Sequence, residues 1–332
     1  MNQNHAVAVR DHAVRLDAGF GRSVTIDDRA ADASPAREPQ PPARIPPRRA
    51  PANRVCSIAL VRDLEFDDHD LQSICALIYQ RAGIVLAAHK RDMVYSRVGR
   101  RVRQLQMTRF SDYLASLEHD PDSPEWQEFV NALTTNLTAF FREDHHFPLL
   151  AQHVAGRRGP VRVWCAAAST GQEAYSIAMQ LVETLGETAD IQVFASDIDT
   201  QALEVARRGV YPLAQVEKLD EKRRKRFFQK GGGHRAGYAR VRPELAARVT
   251  FQPVNLVANQ WPKHAVCDHV VYDAVFCRNV MIYFDAATQA KILKRFVPHM
   301  KADGLLFAGH SENFTYISDQ FRLRGQTVYT LA

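Results

Sequence analysis

The feature of this chain that most restricts its fold is an alternation, starting at Val161, of short β-rich runs with amphipathic helical stretches. Val161-Arg-Val-Trp-Cys165 reads as a strand, and Ile191-Gln-Val-Phe-Ala195 as a second. Between them Ala174, Ile177, Ala178, Leu181, Val182 and Leu185 fall on one helical face, opened after Gly171 and ended by Gly186. Strand, helix and strand make a βαβ unit. A helix over 203–208, a strand over 248–252, a strand over 272–277, a helix around 292–300 and a strand over 305–308 continue the pattern. Such alternation predicts a mostly parallel, doubly wound α/β sheet with helices on both faces. Phe321-Arg-Leu-Arg and Thr327-Val-Tyr-Thr-Leu331, around Gly325, predict a closing antiparallel hairpin. The stretch from about Gln215 to Ala247 interrupts the alternation with a charged helix, the run Gly231-Gly-Gly and a short β-rich piece, and is expected to be an inserted antiparallel β-subdomain.

The chain before this domain has a different texture. Residues 1–56 carry seven of the sixteen prolines and little periodic hydrophobicity, so a disordered Pro/Arg-rich tail is expected. Residues 57–135 predict a small all-helical domain: Leu71, Ile74, Cys75, Ile78 and Tyr79 recur at spacings of three and four, Asp67 and Asp68 stand in capping position and Gly83 ends the helix. Charge concentrates in one of these helices. Between Lys90 and Arg109 seven basic residues face one acid, which matches the +6 net charge of the whole chain. Val94, Val98, Val102 and Leu105 form its apolar stripe, whereas Lys90, Arg97, Arg100, Arg101 and Arg103 project from another arc. Residues 136–147 read as a linker that contributes to a cofactor site, leading into the α/β domain at 148–332. Cys56, Cys75, Cys165, Cys267 and Cys277 include no C-x-x-C pair and no histidine at zinc-finger spacing, so neither a disulfide framework nor a metal is expected. No long apolar run or secretory leader is apparent, which points to the cytoplasm and to no membrane insertion.

An open α/β sheet binds ligands beyond the carboxyl ends of its strands. There the loop Ala166-Ala-Ala-Ser-Thr-Gly171 offers small side chains that allow close backbone approach, and Asp197, at the end of the second strand, can accept hydrogen bonds from a ribose diol. Together they indicate an adenosine-bearing cofactor, which both NAD and S-adenosyl-L-methionine satisfy. Glu173, in the first turn of the following helix, would repel a pyrophosphate and could pair with a methionine amino group. Arg142 is a cation available to the methionine carboxylate. Asp199 can fill the helix-capping role that would otherwise explain Asp197. His145 and His146 are expected in packing, and His310 in a structural role.

Six segments then carry a family resemblance. Asn136-Leu-Thr-Ala-Phe-Phe-Arg142, Ala166-Ala-Ala-Ser-Thr-Gly171, Ala195-Ser-Asp-Ile-Asp199, Pro253-Val-Asn-Leu256, Phe276-Cys-Arg-Asn-Val-Met-Ile-Tyr-Phe284 and Gly304-Leu-Leu-Phe-Ala-Gly-His-Ser-Glu-Asn-Phe314 resemble the signature segments of the CheR family, the chemotaxis receptor glutamate O-methyltransferases. The resemblance runs from about Phe66 to Thr330, and the loop from Gln260 to His269 is longer than the family's usual one. It implies a Rossmann-like S-adenosylmethionine-dependent methyltransferase domain. It further implies that Asn136, Thr138 and Arg142 reach the cofactor from the linker, with Glu173 on the methionine part and Asp197 on the ribose. Asn255 and Leu256 would surround the adenine, Arg278 and Asn279 would line the remaining wall, and Tyr283 would stand near the reacting centre. Lys90, Arg97, Arg100 and Arg101 would face the cytoplasmic domains of chemotaxis receptors, and the β-subdomain would anchor a receptor carboxyl-terminal peptide. A monomer recruited to membrane receptor clusters is expected by the same analogy.

The chemistry agrees with this residue inventory. A glutamate side chain, with an unperturbed pKa of about 4.3, is already ionised at neutral pH and needs no general base. Arg142 and Tyr283 are the candidates for orienting it. Two other readings use the same residues: a nucleic-acid methyltransferase, suggested by the basic helix but lacking the Asn-Pro-Pro-aromatic cluster of enzymes that act on base amino groups, and a non-catalytic receptor-binding cofactor sensor.

Overall fold

A computed structural model describes residues 64–261 and 270–332. The proline-rich tail, Cys56, Cys267 and most of the long loop at 260–269 lie outside the described residues. Four helices come first: α1 (Asp68–Ala82), α2 (Arg91–Gln104), α3 (Phe110–His119) and α4 (Glu125–Leu133). Asp67 caps α1 through a reciprocal box with Asp70, and Gly83 ends it in the left-handed region at φ 70°. A Cβ on Gly83 would stand 2.7 Å from Val257 Cγ1, so glycine also lets this corner approach the α/β domain. The bundle closes on Ile74, Ile78, Val94, Val98, Val102, Phe110, Tyr113 and Phe129, all buried. Leu105, expected in the same stripe, is exposed because α2 ends at Gln104.

The α/β domain follows with α5 (His146–Val154), β1 (Val161–Cys165), α6 (Gln172–Leu185), β2 (Ile191–Asp197), α7 (Thr200–Arg208) and β3 (Val210–Pro212). The short α8 (Leu213–Val216), α9 (Glu221–Phe227), β4 (Phe228–Lys230), β5 (Tyr238–Val241) and α10 (Pro243–Ala246) precede β6 (Val249–Pro253). The chain ends through β7 (Tyr272–Cys277), α11 (Ala286–Phe296), β8 (Met300–Ala308), β9 (Phe321–Gly325) and β10 (Val328–Leu331). Seven strands form one sheet in the order β6-β2-β1-β7-β8-β10-β9, parallel from β6 to β8 and antiparallel over the closing hairpin. Strand side chains alternate between two cores. Val163, Val193, Ala274, Phe276 and Phe307 pack with α5 and α6, while Trp164, Phe194, Val275 and Leu306 pack with Ile292, Leu293 and Phe296 of α11. The fold is therefore doubly wound, as the alternation of elements predicts.

The inserted subdomain departs from a simple hairpin. It is a three-stranded antiparallel sheet in the order β3-β5-β4, so it begins at Val210, before Gln215. Val210-Tyr-Pro is too short for a periodic signal and contains a proline, which sits at the edge of that sheet. Among the described residues no helix is long and apolar enough to cross a membrane, and no group of acidic, histidine and cysteine side chains is placed to hold a metal.

Candidate active site

The strand order reverses on either side of β1, and the loops at the carboxyl ends of β1, β2, β6 and β7 open onto one cavity of about 380 Å³. Its wall includes Asn136, Thr138, Arg142, Glu173, Asp197, Asn255, Leu256, Arg278, Asn279 and Tyr283, together with Lys90. Every residue assigned from the sequence to the cofactor or the reacting centre is thus in one place. Arg97, Arg100 and Arg101 are not part of this wall.

Asp197 ends β2 with each oxygen already engaged by a backbone amide, Oδ2 by Ser169 N at 2.7 Å and Oδ1 by Asp199 N at 2.9 Å. Each carboxylate oxygen has a further lone pair to offer a ligand. Burial pushes its pKa up to about 6, against the opposing pull of those amides. Gly171 does not line the cavity. Its φ of 95° and a hypothetical Cβ 2.8 Å from Ala206 Cβ show that glycine is required there for packing against α7, so close approach to a ligand falls to Ala166, Ala167 and Ser169.

Glu173 is not an isolated anion. Arg278, itself buried, places Nη1 2.7 Å from Glu173 Oε2, Nη2 3.1 Å from Glu143 Oε2, and Nη2 donates to the Arg142 carbonyl at 2.6 Å. Burial pushes the Glu173 carboxyl up, and Arg278 pulls it back. The Arg278 Nε, also buried, has no hydrogen-bond partner. Arg142 turns its own Nη1 to the Leu137 carbonyl at 2.7 Å. A buried donor left open, beside a carboxylate whose Oε1 accepts only from the weak Cys165 thiol at 3.5 Å, suits a ligand end that bears both an acceptor and a cation.

Helical bundle and sheet domain meet around this cavity. Val85 N donates to Tyr283 O at 2.8 Å, Asn255 Nδ2 to Arg81 O at 2.8 Å and Gln127 Nε2 to Ile198 O at 2.9 Å. Asp199 does more than cap α7 through Ala202 N. Its Oδ2 also accepts from Thr134 Oγ1 at 2.6 Å and Asn136 Nδ2 at 2.7 Å, fixing the linker to the end of β2. Sequence reasoning missed this tie, as well as Glu312, whose buried carboxylate accepts from the amides of Asn279, Val280, Met281 and Gly309 and shapes the loop after β7. The signal available for Glu312 was its place in Gly309-His-Ser-Glu312; nothing local marks Asp199 as an anchor for the linker.

The basic helix needs correction. Arg97 donates to the Ala132 and Thr134 carbonyls at the end of α4, and Arg101 makes a two-pronged pair with Glu125, with Nε 2.7 Å from Oε1. Both guanidinium groups serve the bundle, so they are not a free cationic face. Arg100 and Lys90 are exposed. His146 is buried in packing, with Nε2 2.9 Å from the Gln326 carbonyl.

The comparisons with known proteins converge. The family profile of the CheR methyltransferase SAM binding domain matches residues 136–330, and that of the CheR methyltransferase all-alpha domain matches residues 69–134. A chemotaxis protein methyltransferase from Klebsiella aerogenes is 58% identical over 273 residues, covering 82% of this chain and 92% of its own. One from Escherichia coli is 55% identical over 276 residues, covering 83% and 95%. Chemotaxis protein methyltransferase 2 from Pseudomonas aeruginosa is 48% identical over 275 residues, covering 82% and 96%.

Proposed function

The chain belongs to the CheR methyltransferase family, whose methyl donor is S-adenosylmethionine, and from that premise we propose that it methylates glutamate side chains of chemotaxis receptors, forming methyl esters for sensory adaptation. The observation that carries the carboxylate assignment is the cavity wall. Among the described residues it includes no histidine and no cysteine, and its two acids are engaged, Glu173 by Arg278 and Asp197 by backbone amides. A wall without a free base suits a nucleophile that arrives already ionised.

The bound donor supplies an electrophilic methyl group on a sulfonium leaving group. The chain's residues would hold it as follows: Asp197 accepting from the ribose, Asn255 and Leu256 against the adenine, and Glu173, Arg278, Asn279, Asn136, Thr138 and Arg142 around the methionine end. Arg142 and Tyr283 orient the incoming carboxylate. Alignment and exclusion of water lower such a barrier by up to about 7–11 kcal/mol when the geometry is ideal. A single cation and a phenol orient a carboxylate without stabilising its ground state as a cage of cations would.

Exposed Lys90 and Arg100 are the proposed contacts for acidic receptor helices. The β-subdomain, with β4 at its edge, is the proposed anchor for a receptor tail peptide by strand addition. The protein acts as a monomer recruited to receptor clusters. The test is incubation with methyl-labelled donor and receptor cytoplasmic fragments. Label on glutamate that base releases as methanol is the expected result. Base-stable label would overturn the carboxylate assignment, and no label despite donor binding would favour a cofactor sensor.

A further inference from the structure

One half-buried charged group touches the cavity wall from outside it. Glu143 follows Arg142 in the linker with φ 53°, an unfavourable backbone for a residue with a Cβ, and it is not among the cavity-lining residues. Its side chain is only 11% exposed. Oε2 lies 3.1 Å from Arg278 Nη2, while Oε1 accepts from Asn279 Nδ2 at 3.1 Å and stands 2.9 Å from His310 Nδ1. A carboxylate can only accept, so Nδ1 of His310 carries the proton. Burial alone would raise the Glu143 pKa, but His310, Arg278 and Asn279 outweigh it and hold it down to about 2. Glu143 is therefore ionised at neutral pH.

Three chain segments meet at this carboxylate: the linker, the loop after β7 and the loop after β8. The meeting is tight. Asn279 is itself left-handed at φ 56°, and a Cβ on Gly309 would stand 2.4 Å from its Nδ2. We propose that Glu143, oriented by His310, is a positioning residue that sets Arg278 and Asn279 in the cavity wall and balances Arg278, so that the wall holds the net charge suited to a donor with one more positive charge than its product. Arg278 lies between two carboxylates; with Glu143 neutral, Glu173 alone would match it, and the wall would become one unit more positive. S-adenosylmethionine carries one net positive charge through its sulfonium, whereas S-adenosylhomocysteine is a neutral zwitterion. Loss of the Glu143 charge must therefore penalise donor more than product.

This inference rests on the donor assignment made above, and calorimetry on the full chain separates the two. Wild type that binds neither S-adenosylmethionine nor S-adenosylhomocysteine would remove the assignment itself. With wild type binding both, Glu143→Gln is expected to weaken the donor about tenfold and the product by less than half of that factor, as loss of one charge-assisted contact predicts. Equal weakening of both, or no change in either, overturns the proposal. His310→Ala and His310→Asn provide a second route should Glu143→Gln fold poorly. The alanine variant is expected to bind the donor about threefold more weakly, and the asparagine, whose amide can present an N–H near the Nδ1 position, to recover wild-type affinity. Failure of asparagine to rescue the loss also counts against the proposal.

Discussion

Asp197 shows what a single side chain contributes at the end of a strand. Its two oxygens hold the loop after β1 and the turn after β2, while burial keeps its pKa near 6. In the proposed donor complex a proton and the ribose diol would compete for the same lone pairs. Donor affinity is expected to be flat above pH 7 and to weaken as pH falls through 6, by up to about tenfold per unit below it. Asp197→Asn should bind more weakly at neutral pH and lose this slope; calorimetry from pH 5 to 8 reads both. The acid was legible in the sequence because it ends a strand at a predictable distance past a small-residue loop. Its raised pKa was not, since it comes from burial that outweighs the Ser169 and Asp199 amides, and that burial exists only in the folded chain.

At the level of elements, α2 shows why charge counted along a helix does not equal charge offered to a partner. Periodicity places Arg97 and Arg101 away from the apolar stripe, but α4 packs beside that arc and takes both guanidinium groups. Arg101→Glu is therefore expected to destabilise the protein by about 1–2 kcal/mol, as a partly buried two-pronged pair is worth more than a surface one. The exchange Arg101→Glu with Glu125→Arg should restore most of the loss in a denaturant titration. Arg100→Glu, on the exposed side, should leave unfolding and donor binding unchanged while slowing methylation of receptor fragments. An unaltered methylation rate would show that α2 is only structural. The inserted subdomain carries a related lesson. Its charged helix and glycine run were visible, but β3 was not, because three residues acquire a strand conformation only by pairing with β5.

Across the whole molecule, stability is tied to the closing hairpin through His146. The ring is buried on α5, its Nε2 bonds the Gln326 carbonyl, and burial lowers its pKa to about 4. The unfolded chain binds this proton below pH 6.5 whereas the folded chain resists it down to 4, so stability should fall by about 2–3 kcal/mol as pH drops through that window. The difference between wild type and His146→Gln in urea titrations at pH 7 and pH 4.5 isolates this contribution. An identical pH slope in both would refute it. Periodicity and strand-end position, local properties that the backbone carries directly, determined the main strands and helices, the two-sided burial of the sheet, the helical bundle and the places of Glu173 and Asp197, while the likeness of the signature segments to a family supplied Asn136, Thr138, Asn255, Leu256, Arg278, Asn279 and Tyr283. Only the tertiary structure decided which charges are consumed: Arg278 between Glu143 and Glu173, Arg97 and Arg101 within the bundle, Asp199 on the linker. Ion pairing and desolvation depend on distances between segments far apart in the chain, and those distances exist only after the two domains have closed around the cavity.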